Sequence, residues 1–164
     1  MTSFSGPGEW YARWPHFRPD ELTCKCHRYC EGDLVVDEDL LDRMEVLRRT
    51  IARPLKINSG HRCRLHNGHI GGANYSQHKR LAVDISLTGH DPATLFSHAQ
   101  SLGFLGIGVA ETFIHLDMRR EIDGYQPPRR LTIWKYQAKW PKWFSDYVAA
   151  SRKGTNMQKK DLIT

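Results

Sequence analysis

Residues 60–87 read GHRCRLHNGHIGGANYSQHKRLAVDISL, and their character changes part way along. Up to Arg80 the stretch holds few apolar side chains and many His, Arg, Asn and Gly. A run this polar inside a small domain predicts a site-bearing loop rather than a linker. From Leu81 the pattern becomes LAVDISL, short, apolar and bounded by turn residues, which predicts a strand. Upstream, PLKINSG alternates as another strand with Leu55 and Ile57 on one face. Before it lies the clearest helix: Asp37 is placed to cap it, and Leu40, Leu41, Met44, Leu47, Arg48 and Ile51 recur at helical spacing until Pro54 ends it.

Downstream, Asp91 and Pro92 open a helix in DPATLFSHAQSLG, with Gly103 set to stop it. GIGVA, FIHLDM and LTIWKY read as three further strands, and a short aromatic helix starts near Trp140. Strands and helices without regular alternation predict an α+β fold with a small, mainly antiparallel sheet. GFLGIG is not a dinucleotide fingerprint, because its glycines fall at 103, 106 and 108 and no strand precedes it. The predicted organisation is an irregular, cysteine-containing arm over 1–33, one domain over 34–150, and a basic polar tail over 151–164.

The 164 residues are 40% hydrophobic, which suits one ordinary globular domain and excludes wholesale disorder. No run approaches the ~20 apolar residues of a membrane span. The first residues lack a basic-then-apolar leader, so the expectation is a protein that stays where it is made or leaves by another route. Lys and Arg number 24 against 18 Asp and Glu, giving a formal charge of +6. That suits an anionic partner without choosing one, and no nucleic-acid-binding signature accompanies it.

Cys24, Cys26 and Cys30 cluster in CKCHRYC, and Cys63 stands far off. The spacing departs from the two-residue gaps usual within zinc-binding cysteine pairs. Packed thiols, a disulfide and a second, structural metal site are all compatible with it.

Three residues carry the chemistry: His78 at the exit of the polar loop, Asp84 in the strand after it, and His115 in a separate strand. Imidazole and carboxylate are ligands that zinc accepts, and a catalytic zinc keeps three protein ligands with an open fourth place. His61, His66 and His69 read as surface polar residues of the loop. Trp134, Trp140 and Trp143 read as a satellite hydrophobic cluster, with a stacking platform for sugar rings as the other option.

The blocks INSGHRCRLHN, HIGGANYSQH, LAVDI, GFLGIGV, FIHLDMR and IWKY, in that order, resemble the zinc peptidases of the D-alanyl-D-alanine carboxypeptidase group. These share their fold with the hedgehog signalling domain and include phage endolysins that cut peptidoglycan peptides. The likeness runs from about His16 to Tyr136. It implies zinc as cofactor, with His78, Asp84 and His115 as its ligands. It also implies Arg62 as the arginine facing the scissile carbonyl or a substrate carboxylate, and Ser76 as the serine that shapes the metal loop. Zinc lowers the pKa of bound water toward ~7 and polarises a carbonyl. A planar guanidinium steadies the negative charge of a tetrahedral intermediate.

Two departures from the family pattern matter. Where many members carry an acid three residues before the last ligand, this chain has Thr112. The catalytic base then falls to Asp117, which shares the strand face of His115, or to Glu111, on that same face unless a bulge intervenes. Either could instead orient an imidazole. Second, HKRLAVD is one residue shorter than the usual His-to-Asp spacing and lacks its glycine. Either the turn tightens, or strand alternation carries Asp84 off the metal. The expected activity is zinc-dependent hydrolysis of a bond in the stem peptide of bacterial peptidoglycan by a phage-type protein, in the host cytoplasm until lysis or carried in a particle. The alternative from another class is a non-catalytic tail component, partnered by other virion proteins, that keeps the fold.

Overall fold

A computed structural model describes residues 7–154. The elements in chain order are α1 (Pro7–Arg13), α2 (Pro19–Leu22), α3 (Glu38–Ile51), β1 (Ile57–Ser59), α4 (Arg64–His69), a 3-10 turn (Gln77–Lys79), β2 (Ala82–Ser86), α5 (Pro92–Ser101), β3 (Gly106–Val109), β4 (Phe113–Asp117), β5 (Thr132–Lys135) and α6 (Lys142–Gly154). The five strands form one sheet in the order β1-β2-β4-β3-β5. Every pairing is antiparallel except β3 with β5. The α+β class with a mainly antiparallel sheet is therefore observed.

Local chemistry explains the elements that position the site. Asp37 caps α3 by accepting from Leu40 N–H at 3.1 Å, and Asp91 caps α5 by accepting from Thr94 N–H at 2.8 Å. Ala52 in the left-handed region ends α3 two residues before Pro54. Side chains alternate along each strand. Val83 and Ile85, Ile114 and Leu116, and Ile107 and Val109 point into the core with Leu40, Leu41, Met44, Leu47, Leu95 and Phe96. The other sheet face carries Asp84, His115 and Asp117.

The arm expected over 1–33 is corrected in its described part. Residues 7–33 form two short helices and bury Trp10, Trp14, Phe17, Leu22 and Cys24 in the core. Short aromatic-rich helices broken by prolines leave too little periodicity to be read from sequence. Trp10 Nε1 donates to the Phe17 carbonyl at 2.7 Å, and Trp14 Nε1 to Asp42 at 2.9 Å, so both indoles are buried with their polar ends partnered. α6 continues past 150, and the expected tail beyond 154 lies outside the described residues.

Two glycines of β3 make room on the site face. A side chain at Gly106 would collide with the Asp117 carboxylate, and one at Gly108 would collide with Trp134 and Tyr136. Gly106→Ala should lower stability by about 1–3 kcal/mol, because a well-packed site must shift to admit the methyl group. Chemical denaturation with an unchanged m-value checks it, and an unaltered midpoint would contradict the packing described.

Candidate metal centre

Cross-strand register builds the site. Asp84 in β2 is the direct partner of His115 in β4, so the two side chains stand next to each other on the same face. His78 reaches them from the 3-10 turn that precedes β2. That turn is pinned to the segment after β4 by Gln77, whose side chain donates to the Arg120 carbonyl at 2.8 Å and accepts Arg120 N–H at 2.7 Å. Arg120 is in turn held by Asp37, at 2.6 and 2.9 Å, so the cap of α3 also anchors the site.

This turn carries the chain from His78 into β2. Lys79 and Arg80 close it through backbone bonds to Ser76 and Gln77, and buried His61 lies with Nδ1 3.1 Å from the Arg80 carbonyl. His61 is thus a packed residue of the turn rather than a surface one, whereas His69 is exposed. The strand face does not slip. His78 Nε2 lies 3.3 Å from Asp84 Oδ2, and His115 Nδ1 lies 3.0 Å from Asp84 Oδ1. Ligand atoms of the three residues fall within 4.8 Å of one another.

This donor set fits zinc. Ligands at ~2.0–2.1 Å around a tetrahedral ion stand about 3.3 Å apart, comparable with the separations found. Each imidazole is also oriented from behind: His78 Nδ1 is 2.7 Å from the Gly60 carbonyl, and His115 Nε2 is 2.9 Å from Asp117 Oδ2. Such partners fix the tautomer, so that the opposite nitrogen faces the metal position. Burial pushes the pKa of His78 down, which keeps the ring neutral and its lone pair free. Burial raises that of Asp84, but hydrogen bonds to His115 and His78 outweigh it and hold the carboxylate ionised well below its usual range. For His115 burial acts downward, and hydrogen bonds to Asp117 and Asp84 overcome it, giving a value of about 9.

The trio forms the floor of a pocket of about 450 Å³, lined also by Arg62, Tyr75, Ser76, Phe113, Arg119, Trp134 and Tyr136. Arg62 donates from Nε to Ser59 Oγ at 3.0 Å and from a terminal nitrogen to Asp84 Oδ2 at 3.1 Å. Ser76 begins the 3-10 turn and lines the pocket without a side-chain capping bond. Asp117 is fully buried; its second oxygen accepts Arg119 N–H at 2.6 Å. Glu111 is not among the pocket residues. It sits exposed in the β3–β4 turn, where its carboxylate accepts Lys142 N–H at 3.3 Å. The expectation that Glu111 shares the face of His115 fails because β4 begins only at Phe113, and Ala110 bonds Phe113 across the turn.

Several pocket residues lie outside the set expected from the sequence. Arg119, in the left-handed region at φ 51°, lays its guanidinium 5.7 Å from the Trp134 ring centre and keeps a buried Nε without a hydrogen-bond partner. Trp134 belongs to the pocket, 5.1 Å from the His115 ring, whereas Trp140 and Trp143 pack against the hydrophobic core. The alternating Gly106 and Gly108 were the available signal that something large approaches that strand.

A family model described as Peptidase M15 matches residues 15–117, a span that contains Arg62, Ser76, His78, Asp84, His115 and Asp117. No curated protein matches the chain.

Metal loading at His115 must displace a proton that the metal-free site holds up to about pH 9. A proton competes with the metal, so zinc affinity should rise by up to about tenfold per pH unit between about 6.5 and 9, then level off. Competition against a chromophoric chelator across that range measures it. A flat profile would show that His115 is not proton-bound before loading.

Proposed function

Because the chain belongs to the peptidase M15 family, whose members are generally zinc-dependent hydrolases, we propose that it cleaves a peptide bond in the stem peptide of bacterial peptidoglycan. The observation that carries this reading is the convergence of His78, Asp84 and His115 on the floor of a pocket that two guanidinium groups also line. Zinc bound there supplies a Lewis acid and a water of lowered pKa. The remaining work falls to side chains of the chain itself.

Arg62 is held against Asp84 and Ser59 and presents a fixed positive charge beside the reacting position, where it stabilises negative charge developing on the carbonyl oxygen. Arg119, whose guanidinium lines the pocket beside Trp134, adds a second cationic contact suited to the acidic groups of a stem peptide. Trp134, Phe113 and Tyr136 give the pocket an aromatic wall that limits water. Asp117 fixes His115. It is also the one carboxylate among the described pocket residues outside the ligand trio, which makes it the chain's candidate proton acceptor. A strand slip after His78 would favour the non-catalytic alternative, whereas Asp84 converges with both histidines.

Purified protein should release new amino groups from peptidoglycan, stop when a chelator is added and resume with zinc. His115→Ala should lose both the metal of this centre and the hydrolysis. Stoichiometric zinc without any turnover on wall peptides would instead favour the structural alternative. Asp117→Asn should weaken zinc binding by about 10–100-fold through the loss of its hold on His115. At saturating zinc, kcat should still fall by about 10²-fold or more if the carboxylate takes the proton. Recovery of the full rate at saturating zinc would confine Asp117 to positioning.

A further inference from the structure

The four cysteines meet at a second place in the fold. Cys26 Sγ lies 3.5 Å from Cys30 Sγ and 3.9 Å from Cys63 Sγ, and the sulfurs of all four, Cys24 included, fall within 4.8 Å of one another. A disulfide would join two sulfurs at ~2.05 Å and leave the other pair out of the arrangement. Four thiolates around one tetrahedral ion at ~2.3 Å stand about 3.8 Å apart, close to the 3.5 and 3.9 Å that separate Cys26 from Cys30 and Cys63.

The backbone is arranged around the sulfurs as well. Cys63 N–H donates to Cys24 Sγ at 3.3 Å, and His66 N–H donates to Cys63 Sγ at 3.4 Å. Backbone N–H groups of Tyr29 and Arg28 also bond the Cys26 sulfur. His27 occupies the left-handed region at φ 48°, which turns the chain sharply inside CKCHRYC. Backbone donors directed at sulfur stabilise thiolate, the form that binds metal.

We propose that Cys24, Cys26, Cys30 and Cys63 bind a structural zinc ion, separate from the His78–Asp84–His115 centre. Binding displaces to solvent the protons of whichever thiols still carry them, up to four, without any change of oxidation state. The ion joins the segment after α2 to the segment after β1. The second of these carries Arg62 and the Gly60 carbonyl that orients His78. The two segments already meet tightly: His61 N–H donates to the Leu22 carbonyl at 2.7 Å, and a side chain at Gly60 would collide with the Leu22 backbone. The cysteine site braces the loop on which the pocket depends.

The test uses the full chain purified under reducing conditions. Elemental analysis should find two zinc ions per chain in the parent protein and one in His115→Ala. Cobalt loaded into His115→Ala, where the thiolate site stands alone, should give strong thiolate-to-metal charge-transfer absorption and the bands of a tetrahedral ion. Cys30→Ser in that background should abolish the absorption and the remaining zinc. Cobalt without charge-transfer bands, iron in place of zinc, or a non-reduced mass lowered by paired cysteine hydrogens would overturn the proposal. The cobalt spectrum keeps all four cysteines, so it decides the matter even if Cys30→Ser fails to fold. It is independent of whether the chain cleaves peptides.

Discussion

Asp84 is a nearly buried carboxylate with three partners from three parts of the chain, and the architecture of the pocket follows from satisfying it. His115 comes from the neighbouring strand, His78 from the turn before its own strand, and Arg62 from the loop after β1. An ionised carboxylate removed from water is unfavourable unless it is paired and hydrogen-bonded. Here the pairing is supplied by groups that can also surround a cation. The same contacts that keep the charge tolerable therefore preorganise a metal site. Burial of His115 and Asp117 beneath the pocket keeps those interactions in a low-dielectric setting, where geometry is held tightly.

Around this charge cluster the fold supplies rigid supports rather than flexible ones. Gln77 and the Arg120–Asp37 pair tie the turn bearing His78 to the start of α3. Gly106 leaves the space that Asp117 fills behind His115. The N-terminal helices contribute Trp10, Trp14, Phe17 and Leu22 to the same core that backs the sheet. The cysteine cluster lies where that N-terminal segment meets the loop bearing Arg62, so stability and site geometry are coupled there. Among the described residues no helix is long and apolar enough to cross a membrane.

The register of β2 decides whether the segment from His78 to Asp84 brings both residues to one place. A slip along a strand would reverse the face of every side chain after it. The strand keeps its register because Val83 and Ile85 must face the core, and five cross-strand partners with β4 fix that choice. The chain between His78 and Asp84 is closed by a 3-10 segment, with the buried His61 packed against the Arg80 carbonyl.

Much of this was legible in the linear chain. Alternation and helical spacing, capping residues and the polar run from 60 to 80 gave the α+β class and the central strands, while the resemblance to a zinc peptidase group pointed to the residues that converge. The former are short-range signals, set by periodicity and by backbone hydrogen bonding. Tertiary structure alone decided the rest. Whether Glu111 faced His115 depended on where the β3–β4 turn fell, and no local pattern marks that boundary. Whether CKCHRYC and Cys63 were scattered thiols or one cluster depended on the packing of segments 33 residues apart, from Cys30 to Cys63. Contacts across such separations come from the whole core closing, and a reading of neighbours along the chain does not contain them.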